Sequence, residues 1–272
     1  MFPKEVDSTS AVEVLRSRGE GTSRGTDVVA RERRVVFHVD PLGMLEAVMS
    51  PVELREFILG HLLGEGVIAS AREVADVTVA ERDGWTEVLV ELVLPEGGTA
   101  LAAPSGGPPA RLGLIQTACA GSPPRDARPL QPLAGSLGVR AADLLRVPSQ
   151  LRGLTELFVQ TGAFHYAFLL DRGATPRLGA YDIGRHTAVD KVIGKALLAG
   201  EPLPSLFLFT TGRVSSDVAA KCVRARVPLV ASRGAPLDGA VTVARATGLG
   251  LVGFLRGGRF NVYAGEGHVV WD

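Results

Sequence analysis

The chemistry this sequence offers rests on one loop cysteine and a set of Gly–Arg turns. Cys119 and Cys222 are its two thiols. Cys119 stands where Gly, Ala and Pro dominate and no apolar period runs. A structural cysteine usually keeps apolar company, whereas a loop cysteine becomes a nucleophile when nearby cations lower its pKa. On residue types alone Cys119 fits either role. Cys222 lies four residues after Val218 and one before Val223 on a helical stretch, and reads as core packing.

Four connections repeat a second chemistry: Asp182-Ile183-Gly184-Arg185-His186, Thr211-Gly212-Arg213-Val214-Ser215, Ser232-Arg233-Gly234 and Arg256-Gly257-Gly258-Arg259. Glycine lets backbone approach a ligand closely, and arginine brings a permanently charged fork matched to phosphate. Two of the turns open helices, whose free N–H groups favour an anion. One such turn alone is a solvated surface arginine. Four at corresponding places point to a phosphorylated or nucleotide-bearing ligand. The sequence has no G-x-x-x-x-G-K-[ST], and no G-x-G-x-x-G follows a strand, so a simple nucleoside triphosphate or NAD is not the expected ligand. His186 shares its turn with Asp182 and Arg185, which makes it a stronger candidate than His165. His186 and Asp190 are four apart, but no third ligand stands nearby, and no metal site is expected.

Lys+Arg and Asp+Glu are both 29, for a net charge of zero. Bulk electrostatic capture of nucleic acid is thereby excluded. Two cysteines are too few for a disulfide scaffold. The first residues are polar, without an apolar signal core, and no apolar run reaches the roughly 18 residues of a membrane span. The expectation is a soluble, reduced, cytoplasmic protein.

Residues 1–33 read as a polar, mobile tail. A smaller, strand-rich α+β domain is expected over 34–95. It begins with a strand over 35–39. A helix follows, with Ser50 as N-cap, Pro51 in its first turn and Glu53 completing a capping box. Leu54, Phe57, Ile58, His61 and Leu62 recur at helical spacing until Gly64 or Gly66. Strands over 77–80 and 85–94 join at a turn around Gly84. Residues 96–137 are long for a loop inside a domain and carry Cys119, so they read as a mobile functional loop between two domains. An α/β domain is expected over 138–272. Its helices fall over 151–160, 187–199, 216–224 and 237–247, and its strands over 164–170, 205–209, 227–230, 251–255 and 260–263. Such alternation implies a mostly parallel sheet with one antiparallel hairpin at its end. Three of the four Gly–Arg turns then lie at the carboxyl ends of strands, where open α/β sheets bind ligands.

The block YDIGRHTAVDKVIG, residues 181–194, resembles the signature of the FdhD/NarQ family of formate dehydrogenase accessory sulfurtransferases. TTGRVSSDVAAK over 210–221 and GFLRGGRFNVY over 253–263 are similar to two more family blocks. TGAFHYA over 161–167 and SPVELREFILGHLLGEGVI over 50–68 resemble two others, and all five stand in the family's order. The resemblance implies a cytidine deaminase-like α/β fold without a zinc site, in a homodimer. It implies a persulfide carried on Cys119, loaded by a cysteine desulfurase. The sulfur then passes to the molybdenum bis-guanine-dinucleotide cofactor, which is bound as substrate on its way to formate dehydrogenase. The cofactor segment falls on Phe254, Leu255, Arg256, Gly257, Gly258 and Arg259. Gly212, Arg213, Ser215, Gly184, Arg185 and His186 complete the pocket. The family's C-x-x-C is here Cys119-Ala120-Gly121-Ser122. One thiol holds a persulfide but closes no internal disulfide to release it. A cofactor-binding chaperone without sulfur chemistry is the alternative. A nucleotide hydrolase or deaminase is disfavoured, because the H-x-E and P-C-x-x-C zinc signature is absent.

Overall fold

Alternating apolar residues build two sheets, and one layer of helices joins them. The computed structural model describes residues 8–19, 21–93, 111–115 and 128–271. The first sheet contains β3 (Arg33–Asp40), β4 (Gly43–Met49), β5 (Val74–Arg82), β6 (Trp85–Leu92) and β7 (Arg111–Ile115), preceded in the chain by the ribbon strands β1 (Thr9–Arg18) and β2 (Gly21–Ala30). Its spatial order is β5-β6-β3-β4-β7. In β4, Leu45, Ala47 and Met49 are buried while Glu46 and Val48 are less so, the period of two expected of a half-buried strand. Helix α1 (Leu54–Gly64) follows β4.

After the short β8 (Val139–Arg140) come α2 (Ala141–Gln150), α3 (Glu156–Thr161), β9 (His165–Asp171) and β10 (Pro176–Asp182). The chain continues through α4 (Arg185–Ala199), β11 (Leu206–Thr210), α5 (Ser216–Arg224) and β12 (Leu229–Ser232). It closes with α6 (Asp238–Thr247), β13 (Gly250–Arg256), β14 (Arg259–Ala264) and β15 (Val269–Val270), which pairs with β8. The second sheet has the order β10-β9-β11-β12-β13-β14. Only β11–β12 and β12–β13 pair in parallel; the other three neighbours are antiparallel. The expected single hairpin at one end is therefore a hairpin at each end. The missed strand is β10, whose Pro176 and Gly179 hid it.

Both faces of this sheet are covered. Along β9, Tyr166, Phe168 and Leu170 point into one cluster with α2 and α3. Ala167 and Leu169 point into the other, shared with α1, α4, α5 and the first sheet. This second cluster runs from Val35 and Phe37 through Ile58 to Val192 and Leu208. One apolar cluster therefore draws residues from both sides of the expected 96–137 segment. The interlock is α1 against α4. A Cβ on Gly60 would lie 1.8 Å from the Asp190 carbonyl oxygen, and one on Gly194 would lie 1.7 Å from that of Glu56. Only glycine allows the two backbones so close.

Three other expectations need correction. Residues 9–30 are not a tail but an antiparallel ribbon, paired from Thr9↔Ala30 to Arg18↔Gly21, with Gly19 at φ 60 in its turn. Main-chain pairing satisfies a segment too polar to build a core. The helix expected over 151–160 is instead a 3-10 turn followed by α3, because Thr155 leaves helical geometry (φ −122, ψ 36), and α2, which precedes it, was not expected. Ser50 does not cap α1. Its N–H donates to Asp182 Oδ2 at 3.0 Å, its carbonyl accepts from Lys191 Nζ at 3.2 Å, and the helix starts after Glu53 at φ 57. Tertiary partners took the Ser50 N–H and the Glu53 carboxylate that a capping box would have used. Within the loop expected over 96–137, residues 111–115 pair in parallel with β4.

Candidate functional site

The antiparallel start of β9 and the carboxyl ends of β10, β11, β12 and β13 meet at one end of the second sheet. Asp182 pairs with His165 across β10 and β9, and Thr210 pairs with Ala167 across β11 and β9. The turns after these strands are bonded to one another. Asp182 Oδ1 accepts the Gly184 N–H at 2.8 Å and shapes the entry to α4. The Arg185 stem lies against Gly212, where an added Cβ would come within 2.7 Å of Arg185 Cβ. Ser232 Oγ donates to the Gly212 carbonyl at 2.6 Å and accepts the Gly234 N–H at 2.8 Å. The Phe254 N–H donates to the Gly234 carbonyl at 2.9 Å. A continuous rim therefore runs from Gly184 through Gly212 and Gly234 to Phe254.

Phe254 has φ 55, a left-handed conformation that costs a non-glycine residue of order 1–3 kcal/mol and tends to mark functional sites. The Arg256 guanidinium sits 5.5 Å from the Phe254 ring centroid, within cation–π range. Arg256 and Arg259 are paired across the β13–β14 hairpin, whose turn is Gly257 and Gly258, both at positive φ. Two like charges directly opposite destabilise a ladder and suit an anion between them. Neither is ion-paired among the described residues. Arg213 and Arg233 are also exposed on the rim. Leu255 departs from the expected set: its side chain is fully buried in the core, so only its backbone reaches this edge.

His186 is buried behind the rim. Its Nε2 lies 2.9 Å from Ser215 Oγ and 3.8 Å from Asp217 Oδ2. Burial pushes its pKa down to about 4, with Lys221 and Arg185 adding to the shift and Asp217 opposing it. The ring is therefore neutral at pH 7. Ser215 caps α5 by accepting the Val218 N–H, so its hydroxyl proton is left to donate to His186 Nε2. Beneath it lies a buried ionic cluster. Lys221 Nζ is 2.7 Å from Asp190 Oδ2, 3.6 Å from Asp217 and 3.8 Å from Glu65, and His61 Nδ1 is 3.2 Å from the same Asp190 oxygen. Burial would lower the Lys221 pKa, but Asp190, Asp217 and Glu65 hold it above its ordinary value. Asp190 thus joins α4 to α1 and α5. Among the described residues no group of three or more His, Cys, Asp or Glu side chains is placed to hold a metal.

Of the two cysteines, Cys119 lies outside the described residues. Cys222 is buried in the core as expected, and burial raises its thiol to about 12, so it stays protonated. Sequence reasoning underrated His165, Thr211 and Ser232, which complete the rim. The signal for His165 was present: an antiparallel β9 puts the start of that strand beside the ends of its neighbours.

The FdhD/NarQ family model matches residues 30–270. The "Sulfur carrier protein FdhD" of Methanothermobacter thermautotrophicus is 32% identical over 215 residues, covering 79% of this chain and 80% of that one. That of Nocardia farcinica is 31% identical over 272 residues, covering 94% and 93%. The crystal structure of a protein described as a formate dehydrogenase accessory protein from Desulfotalea psychrophila has the same fold. Its TM-score is 0.74 at 24% identity, over 97% of this chain and all of that one.

Proposed function

The chain belongs to the FdhD/NarQ family, and from that premise we propose that it is a sulfur carrier serving formate dehydrogenase maturation. Cys119 is the residue we assign to the sulfur. Its thiolate attacks the outer sulfur of a cysteine desulfurase persulfide. A new S–S bond forms on Cys119, the old one breaks, and the desulfurase thiolate leaves, with no net oxidation. The acceptor is the molybdenum bis-guanine-dinucleotide cofactor, bound as substrate, which then enters formate dehydrogenase. Delivery of the sulfane sulfur as sulfide takes two electrons. A C-x-x-C pair would supply them by closing a disulfide. With Ser122 at the second position, a thiol in trans is the reductant we assign.

The observation that carries this reading is the rim. Gly184–His186, Gly212–Ser215, Gly234 and Phe254–Arg259 form one bonded edge with arginines along it, suited to the several phosphates of a dinucleotide cofactor. Chain topology supports the assignment of Cys119. β7 runs parallel to β4, so Ile115 lies beside Ala47. Three residues beyond Ala47, Ser50 is bonded to Asp182, at the entry to Gly184. We assign the α/β layer to the cytidine deaminase-like class, used here without zinc, and the working unit to a cytoplasmic homodimer.

The test is intact and peptide mass spectrometry after incubation with a cysteine desulfurase and cysteine, for the wild type and Cys119→Ala. A one-sulfur adduct on the Cys119 peptide, removed by reductant and absent in the variant, is the expected result. Ser122 in place of a second thiol favours one other reading, a cofactor-binding chaperone without sulfur chemistry. No adduct, with a desulfurase shown competent on a control acceptor, would establish that reading instead.

A further inference from the structure

His165 stands between the first two turns of the rim, with one ring nitrogen unbonded among the described residues. It begins β9, between Asp182 at the end of β10 and Thr211 just beyond β11. Thr211 Oγ1 accepts the Tyr166 N–H at 3.0 Å and lies 3.4 Å from His165 Nδ1. Its hydroxyl can donate to an unprotonated Nδ1, and its oxygen can instead accept from a protonated one. With Nδ1 accepting, the neutral ring carries its hydrogen on Nε2, and the charged ring carries one on both nitrogens. No described residue bonds Nε2, and the side chain is only partly buried. Arg185, whose stem packs on Gly212, lies close enough to act on the charge of the ring.

We propose that His165 is an anion-binding residue of this site, donating from Nε2 to the diphosphate of a nucleotide ligand and taking up a proton when that ligand arrives. The proposal rests on the reading of the rim as a nucleotide-cofactor site. Thr211 can serve both states: its oxygen has the lone pairs to accept from Nδ1–H of the charged ring as well as from Tyr166. The charged groups that face His165 are Arg185, from the first turn of α4, and Asp182, across β10. Burial first and Arg185 second hold the ring below the ordinary histidine range, and Asp182 offsets them in part. His165 is accordingly neutral at pH 7 in the free protein. A diphosphate at Arg185 cancels that cation and adds negative charge, which favours the imidazolium. Uptake of the proton then makes binding tighten as pH falls, by about tenfold for each unit that the ligand raises the pKa.

The experiment is calorimetric titration of the full-length chain with GDP at pH 6 and pH 8.5, in buffers of different ionisation enthalpy, for wild type and His165→Gln. The wild type is expected to take up more protons per GDP than the variant at pH 6. The ratio of their affinities is expected to be larger at pH 6 than at pH 8.5 by roughly a few-fold, reaching about tenfold per unit only below the free ring's own pKa. Protonation of GDP itself is common to both proteins and cancels. Equal proton counts, or an affinity loss in His165→Gln that is the same at both pH values, would overturn the proposal and leave the nucleotide site standing. Failure of GDP to bind at either pH would overturn both. Should the variant not fold, the wild-type His165 ring resonance answers the same question. Its midpoint must rise by about one unit with GDP bound, and an unmoved midpoint refutes the proposal.

Discussion

A neutral, buried histidine behind a row of arginines is the residue-scale feature that most shapes this protein's response to pH. His186 titrates near 4 in the folded chain because burial penalises its charge, and near 6.5 when unfolded. Between those values the unfolded chain binds the extra proton. Stability therefore rises with pH across that window and is lost as pH falls through it. From pH 7.5 to pH 5 the expected loss from this residue is about 2 kcal/mol. Urea denaturation at both pH values should show the wild type losing that much more than His186→Gln. Glu53 and Glu65, whose carboxyls burial raises above their usual range, titrate with the opposite sign, but equally in both proteins. An identical pH slope in the two would mean that His186 is charged in the folded state.

The crossing of α1 and α4 is the decisive contact between elements. Its closeness leaves no room for a side chain at Gly60, where a Cβ would meet the Asp190 carbonyl at 1.8 Å. Gly60→Ala must push α1 off α4, which separates Asp190 from His61 and Glu53 from Lys195. Overpacking against backbone stands at the costly end of such changes, at about 3 kcal/mol or more. A denaturation midpoint within error of the wild type would show that the helices can part cheaply. The same contact explains why the capping box over 50–53 failed. The Ser50 backbone bonds Asp182 at the end of β10 and Lys191 of α4, and Glu53 pairs with Lys195 of α4. Leaving such charges unpaired would cost several kcal/mol, more than the ~1 kcal/mol of a local cap.

On the scale of the whole molecule, one core spans both sheets. The chain should unfold as one unit. Its two tryptophans report opposite regions: Trp85 begins β6, and Trp271 stacks on Phe260 beside β14 at 5.7 Å. Single-tryptophan variants Trp85→Phe and Trp271→Phe are expected to give coincident fluorescence transitions. Two separate midpoints would show a two-domain architecture. No helix of the described residues is long and apolar enough to cross a membrane.

What the sequence determined by itself was local. Helical apolar period and turn residues placed α4, α5 and α6 within a few residues, because those signals act within one turn of helix. Cys222 was legible as core, because its apolar neighbours at helical spacing limit where it can lie. Only the tertiary structure decided that the Gly–Arg turns join into one rim, since the bonds from Ser232 to Gly212 and from Phe254 to Gly234 span 20 residues each. Only it revealed His165 as a member of that rim and bound the first sheet to the second. Strand direction and the fit of two glycines against carbonyls across a helix crossing are properties of pairs distant in the chain. No window of sequence contains them.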